Sequence, residues 1–244
     1  MIAVTFALPD ESTVFLKTIS NLRISRSGSL PLYFGTLGKE EIAVLHTGVG
    51  EYSARDRIQS FLVDHRPHFL ISSGFVGGLD PDLALGAVLV ATNYSTPALC
   101  ASARSFFETD PSVYFGDLTT QSVPAESLAA KQSLFLETTA LGVDMETAAL
   151  AQACAEASIL FLSLRAISDT ARQPLPVPFS AWFDPMSQKA RPLALLAYLS
   201  AHPGVIPEFV RFVRGVFQSK KIMAAHLLAL IGFLSKSGFV HISD

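Results

Sequence analysis

The chain alternates short apolar runs with amphipathic segments along most of its length. The runs have the length of buried strands, and the segments between them place apolar side chains at helical spacing. Strands are predicted at Ile2–Ala7, Leu30–Leu37, Glu41–Thr47, His68–Ser73, Gly86–Asn93, Ala140–Val143 and Ile159–Ile167. Helices are predicted at Pro9–Ile19, Glu51–Val63, Pro124–Thr139, Thr147–Ala157, Ala190–Ser200, Ile206–Phe217 and Ile222–Leu234. Residues 94–117 are interpreted as strands and loop, and the alternation predicts an α/β fold.

Composition favours one large domain over several small ones. Half of the 244 residues are apolar, and no linker rich in proline, glycine and serine divides the chain. We therefore predict a single domain over residues 1–244, with a helical C-terminal extension at 187–240. Charged residues make up only 16% and the net charge is −3, so a nucleic-acid polymer is not an expected partner.

Cysteine usage and hydropathy indicate a cytoplasmic protein without a metal site or cofactor. The two cysteines, Cys100 and Cys154, lie in unrelated contexts and predict neither a zinc site nor a disulfide framework. The apolar start lacks a basic segment before it and stops at Pro9, which is poor for a signal peptide. No uninterrupted apolar run reaches the roughly 18 residues of a membrane span.

Carboxylates stand where several predicted strands end. Asp144 and Glu146 follow Val143, Ser168 and Asp169 close the Ile159–Ile167 run, and Glu11 comes soon after the first strand. Acids in such places either cap the next helix or contact a ligand. Taken one at a time, capping is the better interpretation of the acids after Val143 and after Ile167, whereas Glu11 fits a helix-start acid and a functional acid equally well.

Two glycine motifs follow strands in the same way. His46-Thr-Gly-Val-Gly50 leads into a predicted helix, and Gly74-Phe-Val-Gly-Gly78 leads toward the next strand. Strand, glycine turn and helix together expose backbone N–H groups to polar ligands. A third glycine, which the dinucleotide-binding fingerprint requires, is absent from the first motif. Together the motifs and the acids favour a ligand crevice at one edge of the sheet.

Three separated motifs then resemble the nucleoside phosphorylase/nucleosidase superfamily, in the family's order. They are Ser73-Gly-Phe-Val-Gly-Gly-Leu79, Val143-Asp-Met-Glu-Thr-Ala-Ala149 and Arg165-Ala-Ile-Ser-Asp169. The resemblance runs from Ala3 to about Asp169. It implies a central mixed twisted sheet flanked by helices, a small-molecule nucleoside substrate and a homodimer.

The resemblance also implies roles for the residues of these motifs in cleaving a purine N-ribosyl bond. Asp169 would serve the purine ring nitrogen with Ser168 beside it, Glu146 would bind the ribose hydroxyls, and Met145 would pack against the sugar. Glu11 matches the acid that activates water in the hydrolytic branch. The remaining candidate positions are the substrate-side residues Gly74, Phe75, Val123 and Asp144, and the nucleophile or phosphate loop of Gly48 and Gly50.

Water and phosphate are both open as nucleophiles, although water is favoured. Phosphorylases of this family carry an arginine in the strand before the second glycine motif, and Phe69-Leu-Ile-Ser-Ser73 has none. Arg55, Arg57 or a partner's arginine would be the alternative phosphate ligands. Phe75 stands where many relatives have a small or hydroxyl residue, which keeps a non-catalytic nucleoside- or lipid-binding protein as a third hypothesis.

Departures from the family pattern point to one branch of it. Thr119–Pro124 replaces the base-binding segment of the methylthioadenosine nucleosidases, whereas Val123–Lys131 and Arg191–Leu195 resemble the hopanoid-associated branch, which is thought to remove adenine from adenosylhopane. Residues 206–234 combine apolar stripes with basic residues, as interfacial helices do. Helices packed on the domain or on a partner subunit show the same pattern and are the preferred interpretation, with peripheral membrane contact as the alternative.

Overall fold

A computed structural model describes residues 1–25 and 30–238, so the last two residues of the predicted 187–240 extension lie outside the described residues. One large sheet forms the centre of the fold. Its strands are β1 Ile2–Phe6, β2 Ser20–Ser25, β3 Leu32–Leu37, β4 Glu40–His46, β5 Phe69–Gly78, β6 Val88–Ala91, β7 Val113–Gly116, β8 Leu118–Thr120, β9 Gly142–Asp144 and β10 Leu160–Asp169. A two-stranded hairpin of β11 Phe183–Asp184 and β12 Lys189–Ala190 lies apart.

Seven α-helices flank this sheet. They are α1 Pro9–Leu16, α2 Glu51–Asp64, α3 Pro97–Phe106, α4 Leu128–Thr138, α5 Thr147–Glu156, α6 Pro192–Ala201 and α7 Ile206–Leu234 among the described residues. Single 3₁₀ turns lie at Phe179–Ala181 and Pro203–Val205. The predicted α/β fold with a mixed sheet between helices is confirmed.

The centre of the sheet is parallel and largely buried. The strand order is β2-β3-β4-β1-β5-β10-β6-β7, and β4, β1, β5 and β10 run in parallel. All five residues of β1 are buried, as expected for a strand with helices on both faces. Strands β3 and β6 pair antiparallel with their inner neighbours, which makes the sheet mixed.

This topology brings the acid-ended strands together. The carboxyl ends of parallel strands meet at the same sheet edge, so the residues after β1, β5 and β10 become neighbours. The short strand β9 joins them by pairing antiparallel with the end of β5, where Val143 lies opposite Gly77. Asp169 lies opposite the same glycine from the other side, after an irregularity in the β10 register.

The strand β2 and the helix α3 were not predicted. Strand β2 is an exposed edge strand, with Leu22 40% and Ile24 55% exposed, so it lacks the apolar run that marks a buried strand. Helix α3 begins at Pro97, a favourable first helical position, and buries Leu99 and Ala103 at i and i+4. The interpretation of residues 94–117 as strands and loop was therefore wrong for the helical part.

Two further boundaries differ from the prediction. The glycine motif at 74–78 is the end of strand β5 rather than a turn after it, and only Gly74 in it has a positive φ, +147°. Helix α7 is continuous, whereas two helices were predicted on either side of Lys220. That lysine is buried and ion-paired with Asp10 of α1, so it tethers α7 to the domain instead of interrupting the helix.

Helix α7 divides into a buried and an exposed half. Among the described residues, only the helical stretch 203–234 has the length and apolar composition of a membrane span. In its C-terminal half Met223, Leu227 and Leu230 are fully buried and belong to the main core. That half therefore packs as a core helix, and only the N-terminal half offers an apolar face to the outside.

Candidate active site

A cavity of about 700 Å³ opens at the carboxyl edge of the sheet. Five acids line it, among them Glu11 after β1, Glu146 before α5 and Asp169 at the end of β10. The wall from α7 is apolar, with Phe209, Phe212, Val213, Val216 and Phe217. A second depression of about 670 Å³ lies at the β2–β3 edge, away from these acids.

Glu11 is both a helix-start acid and a cavity residue. Its Oε2 accepts hydrogen bonds from the backbone N–H groups of Ala7 at 3.0 Å and Leu8 at 3.3 Å, which is the acidic half of a capping box. Burial raises the pKa of Glu11 from 4.5 to about 7, against the opposing charge of Arg165. A carboxyl group with such a pKa is suited to exchange protons near neutral pH.

Gly74 lets strand β5 pass close to Glu11. A Cβ added there would lie 2.6 Å from a guanidinium nitrogen of Arg165 and 3.2 Å from Glu11 Oε2. With its φ of +147°, the position is strained for any residue with a side chain. The predicted substrate-side glycine thus makes room for the charged pair of Glu11 and Arg165.

Glu146 is held by the first glycine turn. The backbone N–H of Gly50 donates to Glu146 Oε1 at 2.8 Å, and the side chain is buried. Burial, helped by the neighbouring Asp144 and opposed by Arg165, raises the pKa of Glu146 to about 8. The lone pairs of the Glu146 carboxyl group that Gly50 does not use remain available to accept hydrogen bonds from a ligand.

Asp144 confirms the capping interpretation for one of the acids. Its Oδ1 accepts from the backbone N–H of Thr147 at 3.3 Å and from Thr120 Oγ1 at 2.9 Å, and Oδ2 contacts the Thr147 hydroxyl. An ion pair joins Asp144 Oδ2 to Arg165 at 3.0 Å. Asp144 also lines the cavity, so one side chain serves both the helix start and the site.

Arg165 was not identified as a site residue from the sequence. It is 1% exposed, and it donates to Ser72 Oγ and Thr147 Oγ1, both at 2.8 Å. The sequence signal that could have drawn attention to it is a lone arginine in the middle of the apolar Ile159–Ile167 run. It is a buried cation among carboxylates, which limits the repulsion between Glu11, Asp144 and Glu146.

Asp169 lies at the other end of the acid cluster, with two polar neighbours. Ser168 Oγ donates to Asp169 Oδ1 at 2.6 Å, and the fully buried ammonium of Lys131 contacts Oδ2. A Cβ added at Gly77 would lie 3.3 Å from Asp169 Oδ2, so this glycine admits the carboxylate. Lys131, on the largely apolar helix α4, is the second site residue that sequence reasoning missed.

The spacing of two glycines on strand β5 indicates how far apart Glu11 and Asp169 lie. Gly74 lies beside Glu11 and Gly77 lies beside Asp169. Three residues of an extended strand span roughly 10 Å. The carboxyl groups of Glu11 and Asp169 are therefore separated by a distance that leaves room for a small molecule between them.

Two other predicted residues fit the cavity and one does not. Met145 is partly buried against the apolar cluster of Ala7, Val49 and Phe183, and Phe75 also lines the cavity. Val123 is 67% exposed and does not line it. The segment instead contributes its next two residues, Pro124 and Ala125, so substrate binding by Val123 stays a prediction that the cavity lining does not support.

The glycine turn predicted as a nucleophile or phosphate loop has other partners. Gly48 N–H donates to the Ala7 carbonyl at 3.0 Å, Val49 N–H to Gln188 Oε1 at 2.7 Å, and Gly50 N–H to Glu146. Its backbone donors therefore bind protein acceptors rather than facing an anion. The geometry favours a role in holding Glu146 over the predicted phosphate site.

The basic and histidine side chains near this turn also point elsewhere. Arg55 pairs with Glu156 at 2.9 Å on the surface, and Arg57 donates to the Leu30 carbonyl. His46 is buried with its Nε2 2.8 Å from Ser12 Oγ, and burial lowers the pKa of His46 to about 4. It is a neutral packed histidine. In the described ranges 1–25 and 30–238, no cluster of three or more His, Cys, Asp and Glu side chains is placed to hold a metal ion.

Comparisons with known proteins identify relatives of this chain. A 5′-methylthioadenosine/S-adenosylhomocysteine nucleosidase of Buchnera aphidicola is 26% identical over 195 residues, which cover 69% of this chain and 83% of the relative. The enzyme of that name from Staphylococcus aureus is 23% identical over 214 residues, covering 75% and 92%.

Solved structures with the same fold include two kinds of hydrolase. The nucleosidase of that name from Streptococcus pneumoniae, bound to a transition-state inhibitor, gives a TM-score of 0.73 at 18% identity and covers 96% of this chain and 99% of its own. Futalosine hydrolase of Helicobacter pylori gives 0.72 at 18% identity, covering 95% and 97%. The family model described as the phosphorylase superfamily matches residues 1–200. Because this match covers most of the 244 residues, the chain belongs to the phosphorylase superfamily.

Proposed function

We propose that this chain is a purine nucleosidase that hydrolyses the N-ribosyl bond of an adenosyl compound and releases adenine. The observation that carries the proposal is the meeting of Glu11, Glu146 and Asp169 around one cavity. An enzyme of the N-glycosyl hydrolase kind is supported by the names of the nucleosidase relatives.

The geometry suits the two ends of such a reaction. Breaking the bond leaves a sugar with cationic character and a base that gains an electron pair, so the site must stabilise both. Asp169 and Ser168 are assigned to the purine, and the acceptor oxygens of Glu146 to the ribose hydroxyls. With its pKa of about 7, Glu11 takes a proton from the attacking water.

Hydrolysis is preferred over phosphorolysis because of the charges in the cavity. A phosphate nucleophile needs fixed cationic donors. Among the described residues that line the cavity, Lys220 is the one lysine or arginine, and it is ion-paired with Asp10. Phosphate would also have to approach Glu11 and Glu146. We expect the rate of adenine release in phosphate-free buffer to equal that in phosphate buffer, and a strict requirement for phosphate would contradict this part of the proposal.

We further propose a hydrophobic substituent at the 5′ position, such as the hopane of adenosylhopane. The support is the apolar α7 wall described above together with Leu175, Pro176 and Leu195, and the resemblance to the hopanoid-associated branch. The test is a panel of adenosine derivatives from methylthio- to long-alkyl-substituted. We expect kcat/KM to rise with chain length, whereas a maximum at methylthioadenosine would refute the hydrophobic substituent.

A non-catalytic binding protein remains the alternative of another class. It was suggested by Phe75, whose side chain is partly buried, packs against the main core and also lines the cavity. The three acids and Arg165 argue against it, because a passive apolar binding site has no need of buried charges. A bound but uncleaved adenosyl compound would favour the alternative.

A homodimer and peripheral membrane contact belong to the proposal as well, in a cytoplasmic setting. Helices α6 and α7 expose large apolar side chains: Leu193, Leu196, Ile206, Val210, Val213 and Phe217. Arg211, Arg214 and Lys221 are exposed on the same long helix. Sedimentation on anionic and neutral vesicles, beside a measurement of mass in solution, separates a lipid-binding face from a subunit interface.

A further inference from the structure

The ammonium of Lys131 is the most completely coordinated cation beside the cavity. Lys131 lies on α4 with its side chain fully buried, and its Nζ contacts Asp169 Oδ2. It also donates to the backbone carbonyls of Thr170 and Gln173, both at 2.8 Å. Three acceptors match the three hydrogens of an ammonium group. Lys131 itself does not line the cavity; of its three acceptors, the one that does is the Asp169 carboxylate.

Stability of the fold does not explain this arrangement. A buried ion pair is costly to desolvate, and apolar residues of similar volume often replace such a pair without loss. Helix α4 already packs on its neighbours through apolar side chains, among them Leu134 and Phe135. A buried lysine at this position is therefore better explained by a role at the cavity.

Lys131 also controls the segment that follows Asp169. The carbonyls it binds belong to the loop 170–178, whose later residues Leu175 and Pro176 line the cavity. The same loop is tied to the start of α4, where Leu175 N–H donates to the Glu126 carbonyl at 2.9 Å. Lys131 therefore holds both the Asp169 carboxylate and the neighbouring loop 170–178 in place.

We propose that Lys131 is a positioning residue that holds the Asp169 carboxyl group against the departing purine. Oδ2 is in contact with the ammonium and Oδ1 accepts from the Ser168 hydroxyl, so the carboxyl group is held on both oxygens and its rotation is restricted. Such preorganisation lowers the barrier only in the transition state, where negative charge develops on the departing base. This inference rests on the proposed nucleosidase function.

A double-mutant cycle tests whether Lys131 acts through Asp169. Wild type, Lys131→Met, Asp169→Asn and the double variant are compared for adenine release from the best adenosyl substrate. We expect kcat to fall by about 10²-fold in Lys131→Met, with a smaller change in KM, and by about 10²–10⁴-fold in Asp169→Asn. The double variant should be no more than about threefold slower than Asp169→Asn alone. Losses that multiply, or a wild-type rate in Lys131→Met, would overturn the proposal.

A second substrate distinguishes positioning from a merely structural role. 4-Nitrophenyl riboside has a leaving group that departs without proton assistance. Lys131→Met should slow its cleavage less than about fivefold while slowing adenine release about 100-fold. Equal slowing on both substrates would mean that the variant simply loosens the site.

Two further variants serve as controls for the role of Lys131. Ser127→Ala removes the cap hydrogen bond to Ala130 N–H, 3.1 Å, and so weakens α4 without touching Asp169; its kcat should stay within about twofold of wild type. If Lys131→Met does not fold, Lys131→Arg is measured in its place, because it keeps the positive charge. It should retain at least about ten times the kcat of Asp169→Asn. An Arg variant as slow as Asp169→Asn would contradict positioning by the cation.

If wild type releases no adenine from any adenosyl compound, the proposed function fails. If wild type is active and Lys131→Met is equally active, this inference alone is refuted.

Discussion

Replacing Glu11 by glutamine should make the protein less active but more stable at alkaline pH. The side chain is half-buried, and burial raises the pKa of Glu11 from 4.5 to about 7. A carboxyl group whose pKa is raised on folding binds its proton more tightly in the folded state. Its contribution to stability is therefore lost as pH rises from about 4.5 to about 7, and the full cost of the buried carboxylate remains above that window.

The size of the effect follows from the shift. A change of the pKa from 4.5 to about 7 corresponds to about 3 kcal/mol, which partial exposure to solvent reduces to roughly 2 kcal/mol. The glutamine oxygen can still accept the N–H groups of Ala7 and Leu8, so the start of α1 should stay capped. For a chain of this size the gain corresponds to a Tm about 4–8 °C above wild type at pH 8.

Thermal unfolding of wild type and Glu11→Gln at pH 5 and pH 8 measures this difference. The Tm gain should be largest at pH 8 and should shrink toward pH 5, where the wild-type carboxyl group is protonated in the folded protein. Adenine release should fall by about 10²–10⁴-fold in the same variant. A variant that is less stable than wild type at pH 8, or a gain that does not change with pH, would refute the reasoning.

Three other outcomes are expected. A pH profile of wild-type kcat/KM should rise through about pH 7 as Glu11 loses its proton, and the same profile of Glu11→Gln should lack that limb. Asp169→Asn should lower kcat by about 10²–10⁴-fold with an unchanged circular dichroism spectrum; wild-type turnover would remove Asp169 from the mechanism. Phe209→Ala should lower the preference for a long-alkyl over an unsubstituted adenosine about tenfold, measured as the ratio of kcat/KM values, because it removes apolar surface from the α7 wall. An unchanged ratio would place the substituent elsewhere.

The main strands and the acids at their ends could be predicted because both leave a local pattern. Continuous apolar runs marked the buried parallel strands, and a carboxylate after an apolar run marked Glu11, Glu146 and Asp169. The edge strand β2 left no such pattern, because its side chains face solvent. Helix α3 was missed because Pro97 was interpreted as part of a loop, although proline is favourable where a helix begins.

The cations of the site could not be placed from the sequence for a different reason. Arg165 and Lys131 lie inside apolar elements, and their partners come from segments distant along the chain. Only the tertiary structure shows that Asp144 pairs with Arg165 and that Asp169 pairs with Lys131. The glycine turn at 48–50 shows the same limit, since its donors bind Glu146, Gln188 and a backbone carbonyl instead of an external anion.

Product analysis after incubation with adenosyl compounds tests the central claim most directly. Purified protein in phosphate-free buffer should release free adenine together with a free reducing sugar, and added phosphate should yield no sugar 1-phosphate. Formation of a sugar 1-phosphate with release that depends on phosphate, or no adenine from any member of the 5′-substituted series, would contradict the account.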